Sequence, residues 1–570
     1  MKILGINSAG FNTSTALIID GEIIYAVEEE RLNREKRTRN FPSLGIKDAL
    51  KTAGLKIEDL DAIAIAWNPA VNLELHNVAQ SSKIRYLGEI FYNVPSSLMN
   101  IKGNNESMYS RQLIEFKDGA KLDIYYITHH LSHASTFYYS PFSNASIMTI
   151  DAFGEKECVL FAEGNDTDLK TIWTQEFPHS LGAFYSTITE FLGFQPQSDE
   201  WKLMGAAPYG DPDEFYTKLK KLVIFKNEGF ELDLSFFNFY MFHRPGRFTQ
   251  KFSDYIGIPP NPKDKPLSKQ YYNLAASAQK IMEEIYFHLL NQLYSKSQYK
   301  DNLVLAGGVV FNSVANGKIL QNTSFKEVYI PPVPDDSGGS LGAAFYVYHQ
   351  LSKKKRVKHL SSNYLGPSFS EDEIQIELDK YKLQYTKLEN PSLKAAELIY
   401  NGKIIGWFQG RLEFGDRALG NRSILADPRD SSMKDKVNET IKYREPFRPF
   451  APSILNEKVS EYFDNAVSTP FMEKVFPIKK EKQEIIPAVT HVDGSGRLQT
   501  VTEEQNKLYY SLIKEFEKLS GIPIVLNTSF NLKGEPMVAS PKDAIRTFFT
   551  SGLDALILGN FLLEKKYDNR

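Results

Sequence analysis

The feature that most restricts the fold is a strand–turn–strand pattern that occurs twice. Residues 2–6, 15–19 and 22–27 are apolar runs, and Asp20-Gly21 separates the last two, a strong short-range hairpin signal. Residues 145–150 repeat the theme: a buried-type strand ends in Asp151, shortly before Gly154, and a second strand follows at 158–162. Helices at 43–53, 180–194 (N-cap Ser180) and 271–294 alternate with strands at 62–67, 122–127 and 302–306. This rhythm predicts an α/β fold with an internally duplicated core. At 570 residues the chain has room for at least two domains.

Composition narrows the function classes. A net charge of -3 leaves no basic surplus for nucleic acid or a membrane surface. The single cysteine, Cys158, excludes an internal disulfide and any thiolate metal cluster. No run approaches the roughly 18 apolar residues of a membrane span, and residue 2 leads directly into a strand, so a cytoplasmic location is expected. The mixed charge run 28–39 reads as a solvated face, and residues 70–120 read as irregular. The aromatic stretch 225–270 reads as an insertion that either shapes a pocket or packs into the core.

Two groups of residues suggest chemistry. His129 and His133 stand four apart in a short helix, so both imidazoles can serve one metal ion, or can merely pack or cap. Asp336, at a strand end before a small-residue helix, is the natural third ligand, with Asp335 as its rival. Asp151 suits a metal or nucleotide, although turn chemistry alone would also select it. The polar turn 7–14 is either a phosphate or hydroxyl cradle or a plain surface hairpin. Gly307-Gly308, between a strand and a helix start, permits close approach of an anion. Farther on, arginines are interleaved with glycine, asparagine and serine at strand ends in 409–429, 442–450, 491–497 and 522–531. That pattern suits a small, highly charged anion such as phosphate.

Four motifs carry a family resemblance: His129-His-Leu-Ser-His-Ala134, Glu200-Trp-Lys-Leu-Met-Gly-Ala-Ala-Pro-Tyr-Gly210, Glu413-Phe-Gly-Asp-Arg-Ala-Leu-Gly-Asn-Arg-Ser-Ile-Leu425 and Asn527-Thr-Ser-Phe-Asn531. They resemble the NodU/CmcH/TobZ carbamoyltransferases, in order and over most of the chain. The resemblance implies an actin-like (ASKHA, Kae1-like) domain over 1–355, a linker at 356–366 and a YrdC-like α/β domain over 367–570. It implies an O-carbamoyltransferase that makes carbamoyl-adenylate from carbamoyl phosphate and ATP, then carbamoylates a small-molecule hydroxyl.

Carried over by motif, His129, His133 and Asp336 hold a divalent metal, iron in the first instance with manganese or zinc as alternatives, and Mg2+ accompanies ATP. Asp151, Gly182, Gly307, Gly308, Asn312 and Asp336 line the nucleotide site. Arg417, Lys442, Arg448 and Arg497, the catalytic set, bind carbamoyl phosphate with Asn527 and Ser529. Free carbamate is short-lived in water, which suits two activities on one chain. One departure matters: many members carry Gly-x-His-Asp in the first turn, whereas here Asn12 falls where the histidine would stand. Asparagine can orient an acceptor hydroxyl but cannot take its proton. The competing readings are a threonylcarbamoyl-adenylate enzyme of tRNA modification and a non-catalytic relative. The acceptor is not legible, and neither is the oligomeric state, a homodimer included.

Overall fold

The computed structural model describes residues 1–8, 10, 12–68, 109–241, 246–263, 265–354, 356, 359–445 and 447–565. Within these the fold is mixed α/β, and the chain divides into two compact units. The first comprises Met1–Ile24 and Ala49–Leu360; the second comprises Tyr25–Asp48 and Ser361–Arg570.

The first unit contains two sheets built to one plan. Strands β1 (Lys2–Asn7), β2 (Ser14–Ile19), β3 (Glu22–Glu28, counted with the second unit from Tyr25 on), β4 (Ala62–Ile65), β5 (Tyr109–Glu115) and β6 (Lys121–Ile127) lie in the order β3-β2-β1-β4-β6-β5. Strands β7 (Asn144–Ile150), β8 (Glu157–Asn165), β9 (Asp168–Glu176), β12 (Asn302–Ala306) and β13 (Glu327–Tyr329) lie in the order β9-β8-β7-β12-β13. In both, a meander's first strand pairs antiparallel with the second and parallel with a later one, β1 with β4 and β7 with β12. A further parallel strand follows, β6 or β13. The turns after β1 and β7 therefore occupy equivalent places, at the carboxyl ends of parallel strands, where open α/β sheets collect ligands.

Packing explains the small residues nearby. The helix Gly339–Ser352 lies so close to β1 that a Cβ on Gly5 would sit 1.9 Å from the Ser340 carbonyl oxygen. The aromatic stretch, with the hairpin β10 (Val223–Phe225) and β11 (Phe230–Leu232), settles into core: Phe237 meets Phe184, and Phe252 meets Phe191 at 5.2 Å between ring centroids. Residues 109–115, expected to be irregular, form β5 because their backbone completes the edge of β6; the remainder of 70–108 lies outside the described residues.

The second unit is a nine-stranded mixed sheet. Its strands are β14 (Thr386–Lys387), β15 (Ile405–Phe408), β16 (Arg422–Ala426), β17 (Ala451–Leu455), β18 (Lys474–Pro477), β19 (Ser495–Val501), β20 (Ile524–Ser529), β21 (Ala555–Leu558) and β22 (Phe561–Glu564), in the order β14-β22-β21-β15-β16-β20-β17-β19-β18. Trp407, Ile424, Leu526 and Ile557 lie in its core.

The charge run corrects the sequence expectation. Glu28, Glu29, Glu30 and Arg31 are buried, not solvated, because this segment packs within the second unit. Arg31 donates to the Gly415 carbonyl at 2.9 Å, and Arg34 donates to the Pro536 carbonyl at 2.9 Å. Alternating charges look alike in sequence whether they face water or one another. No helix among the described residues is long and apolar enough to cross a membrane.

Candidate functional site

In the first unit, four residues converge at the ends of parallel strands. The helix His129–Ala134 follows β6 and presents His129 and His133 on one face, with their Nε2 atoms 3.2 Å apart. Asp151, directly after β7, places Oδ2 3.6 Å from His129 Nε2 and 3.5 Å from His133 Nε2. Asp336 places Oδ1 at 3.6 and 3.9 Å from the same atoms. One ligand atom from each of the four lies within 4.8 Å of the others, so these residues could hold a metal ion. An ion bound at about 2.0–2.2 Å sets its donors roughly 3–3.6 Å apart, which fits the four closest of these spacings. Asp151 thus joins the two histidines as a possible donor, in addition to its expected place beside a nucleotide.

The electrostatics agree with a cation site. Burial raises the Asp151 pKa, but hydrogen bonds and charge from His129 and His133 outweigh it and hold the carboxyl well below the usual range. Burial disfavours a charged His133, yet Asp151 and Asp336 push its pKa up to about 9. A divalent ion would take the place of that proton. His130 is turned elsewhere, with Nδ1 2.6 Å from Thr149 Oγ1.

Backbone contacts fix the carboxylates. Ala152 N and Gly308 N donate to Asp151 at 2.7 and 2.8 Å. Gly307 has φ +102, and a Cβ there would meet the Ile150 oxygen at 2.2 Å. Gly182 lies against the Asp151–Ala152 backbone, with its added Cβ 2.7 Å from Ala152 N. Asn312 caps the next helix, accepting from Ala315 N, and exchanges hydrogen bonds with Gln279. In the first turn, Gly10 lies against Asp336. Asn12 has left-handed backbone (φ +56), and its buried Oδ1 has no hydrogen-bond partner. Asp335 is N-cap of the turn that carries Asp336.

Glu155 was not singled out in the sequence. It is 1% exposed, and both its oxygens accept from His129 N, at 3.1 and 2.9 Å, while Oε1 also accepts from Asn68 N at 2.7 Å. Burial pushes its pKa up to about 7, against the opposing pull of His129. It caps the histidine helix from outside, and its only sequence signal is an acid directly after the glycine of a tight turn.

The second unit carries the opposite charge. Burial lowers the Lys442 pKa, and Arg444, Arg448 and Lys36 lower it further. Burial and then Arg417, Arg444 and Arg448 do the same to Arg497. Such mutual repulsion places these cations in one cluster. Arg444 Nη2 and Arg497 Nε are buried without hydrogen-bond partners, as donors awaiting an anion would be. Carboxylates are present at the edge: Glu445 lies 3.5 Å from Arg448, and Asp416 acts on Arg417. Lys442 is held by Ser529 Oγ at 3.3 Å and by Asn531 Oδ1 at 2.8 Å. Asn527 faces inward and donates to the Ala418 carbonyl at 3.1 Å, so it supports the arginine loop.

Of the expected anion residues, Arg417, Lys442, Arg448 and Arg497 come together, Ser529 adjoins them and Asn527 stands behind. Arg444 and Lys36 are additions. Arg444 follows Lys442 by two residues, across Tyr443 at φ +45, a left-handed position that a tyrosine rarely holds. Arg422, from the same motif, is fully buried over the Phe408 ring at 3.6 Å and serves the core.

The chain belongs to the carbamoyltransferase family and is a carbamoyltransferase enzyme: residues 2–345 match the family's Carbamoyltransferase N-terminus and residues 396–565 its Carbamoyltransferase C-terminus. It is similar to nodulation protein NolNO of Sinorhizobium fredii, at 37% identity over 97% of this chain and 79% of that protein. Nodulation protein NolO of Bradyrhizobium diazoefficiens is 39% identical over 77% of this chain and 79% of its own length. An uncharacterized protein of Synechocystis is 38% identical over 99% of this chain and 96% of its own. Among solved structures, the activator of the 2-hydroxyisocaproyl-CoA dehydratase from Clostridium difficile covers 63% of this chain and 100% of its own at 13% identity. Its TM-score of 0.30 carries no argument.

Proposed function

We propose that the protein is an O-carbamoyltransferase that uses carbamoyl phosphate and ATP to carbamoylate a small-molecule hydroxyl through carbamoyl-adenylate. The observation that carries this reading is the cation cluster of Lys442, Arg444, Arg448 and Arg497, with Arg417, in a chain whose other unit offers a cation-binding site. In this reading the first unit is actin-like and Kae1-like and takes ATP with Mg2+, and the second is YrdC-like.

Carbamoyl phosphate is an acyl phosphate whose C–O bond breaks more readily when charge on the departing phosphate is neutralised. Arg417, Arg448 and Arg497 grip the phosphate oxygens, and Lys442, fixed by Ser529 and Asn531, supplies a point charge. Water adds to the carbonyl carbon and phosphate leaves, giving carbamate and a proton. Carbamate oxygen then attacks the α-phosphorus of ATP and pyrophosphate leaves. Finally the acceptor hydroxyl displaces AMP from carbamoyl-adenylate and releases its proton.

His129, His133, Asp151 and Asp336 would hold a divalent ion, iron or alternatively manganese or zinc, which when bound would withdraw charge from the nucleotide phosphates. Gly308 and Gly182 let the chain pack closely around Asp151, and Asn12 Oδ1 would accept a hydrogen bond from the acceptor hydroxyl. Asn12 cannot take that proton. Asn12→His restores an imidazole at a left-handed position that histidine tolerates, and transfer should hold or rise.

The test is incubation with carbamoyl phosphate, ATP and Mg2+, with assay of phosphate, pyrophosphate and carbamoyl-adenylate. Formation of all three is expected. Carbamoyl phosphate left intact would overturn the reading.

A further inference from the structure

We infer that Arg31, from the segment 25–48, is a positioning residue for Arg417: it holds the loop that presents Arg417 to the anion. The inference rests on the reading that Arg417 binds carbamoyl phosphate.

Several contacts hold the loop from Glu413 to Arg422, among them Asn363 at Phe414 and Asn527 at Ala418, and two more differ in origin. Its far end is tied from within, since Glu413 Oε1 accepts from the backbone nitrogens of Leu419, Asn421 and Arg422 at 2.9, 2.8 and 3.1 Å. Its near end, Gly415-Asp416-Arg417, depends on a side chain from 384 residues earlier: Arg31 Nη2 donates to the Gly415 carbonyl at 2.9 Å. The same nitrogen lies 3.8 Å from Asp416 Oδ1. Gly415 has φ +120, so its carbonyl is aimed by a backbone that only glycine adopts readily.

Arg31 is itself locked. It is 2% exposed, lies 3.3 Å from Glu28 Oε1 and bonds Glu30. Held by these acids, its buried side chain is set to brace the loop and not to meet a ligand. Burial raises the Asp416 pKa, but the fields of Arg31, Lys36, Arg37 and Arg417 hold its carboxyl below the usual range. Arg31 thus bears on both residues that precede Arg417, through the Gly415 carbonyl and the Asp416 carboxylate.

The test is a double-mutant cycle in the full-length chain, read as the KM for carbamoyl phosphate in pyrophosphate release. Arg31→Lys keeps the charge among the acids but loses the two-pronged guanidinium. It should raise that KM about tenfold with little change in kcat. Arg417→Ala should raise it about a hundredfold, and the double variant should stay within about twofold of Arg417→Ala alone. Effects that multiply, or an unchanged KM in Arg31→Lys, would overturn the positioning role. An unchanged KM in Arg417→Ala would instead overturn the anion reading. If Arg31→Lys does not fold, Arg31→Gln, which keeps an amide donor for Gly415, replaces it in the cycle. Failure of both to fold would assign Arg31 to the unit as a whole and count against the inference.

Discussion

The two units solve opposite electrostatic problems. The first gathers two carboxylates and two imidazoles, where Asp151 and Asp336 favour the charged form of His133 and one proton on it offsets only part of their negative charge. The second crowds Lys442, Arg444, Arg448 and Arg497 together against their mutual repulsion. In the first, opposite charges attract one another. Like charges held close cost energy that an anion bound among them would relieve, so such a ligand would also stabilise the protein.

The sharpest way to break that contrast is Lys442→Ala. Carbamoyl phosphate consumption should fall about 100- to 1,000-fold while metal content stays that of the wild type. Loss of both would mean that the sites are not separate. Next is His133→Ala, which should weaken metal binding about 100-fold or more and leave the carbamoyl phosphate KM within twofold, read by metal titration and steady-state kinetics. Glu155→Gln, which keeps one acceptor for His129 N, should weaken metal binding about tenfold at unchanged melting temperature; equal affinity would reduce Glu155 to a packing role.

The smallest effect concerns Glu28, whose pKa burial pushes up to about 7, against the pull of Arg31 and with the help of Asp416 and Glu30. The folded state favours the protonated form, so this group's stabilising contribution is complete below pH of about 4.5 and is lost as pH rises through 7. Glu28→Gln should therefore melt about 1–3 °C above the wild type at pH 8, with no gap near pH 5. A gap independent of pH would rule out titration of Glu28 as its source.

Much of the first unit was legible because strand ends and helical spacing leave local marks. His129 and His133 stand four apart, and Asp151 and Asp336 each follow a strand. The repeated strand–turn–strand pattern already linked the turns after β1 and β7; that both lie at the ends of parallel strands needed the strand order. Glu155 escaped because its carboxylate works on backbone amides, and any acid in a tight turn looks the same. In the second unit the arginine motif was plain and the resemblance picked out Arg417, but spacing alone did not mark Arg422 as a core residue. The start of the run 28–39 was misread, because partners hundreds of residues away leave no periodic trace, whereas Glu35 and Arg39 are exposed as expected. Asn527 announced a site and stands behind it.

That distance has a consequence in time. Arg31 is synthesised 384 residues before the carbonyl it holds. At ribosomal rates of about 5–20 residues per second, the interval is roughly 20 to 80 seconds. Throughout it, Glu28, Glu29, Glu30 and Arg31 have no second unit to enter. A nascent chain must therefore keep this stretch hydrated and available until its last third emerges. Its dense charge, which disguises it as surface in the sequence, is well suited to that wait.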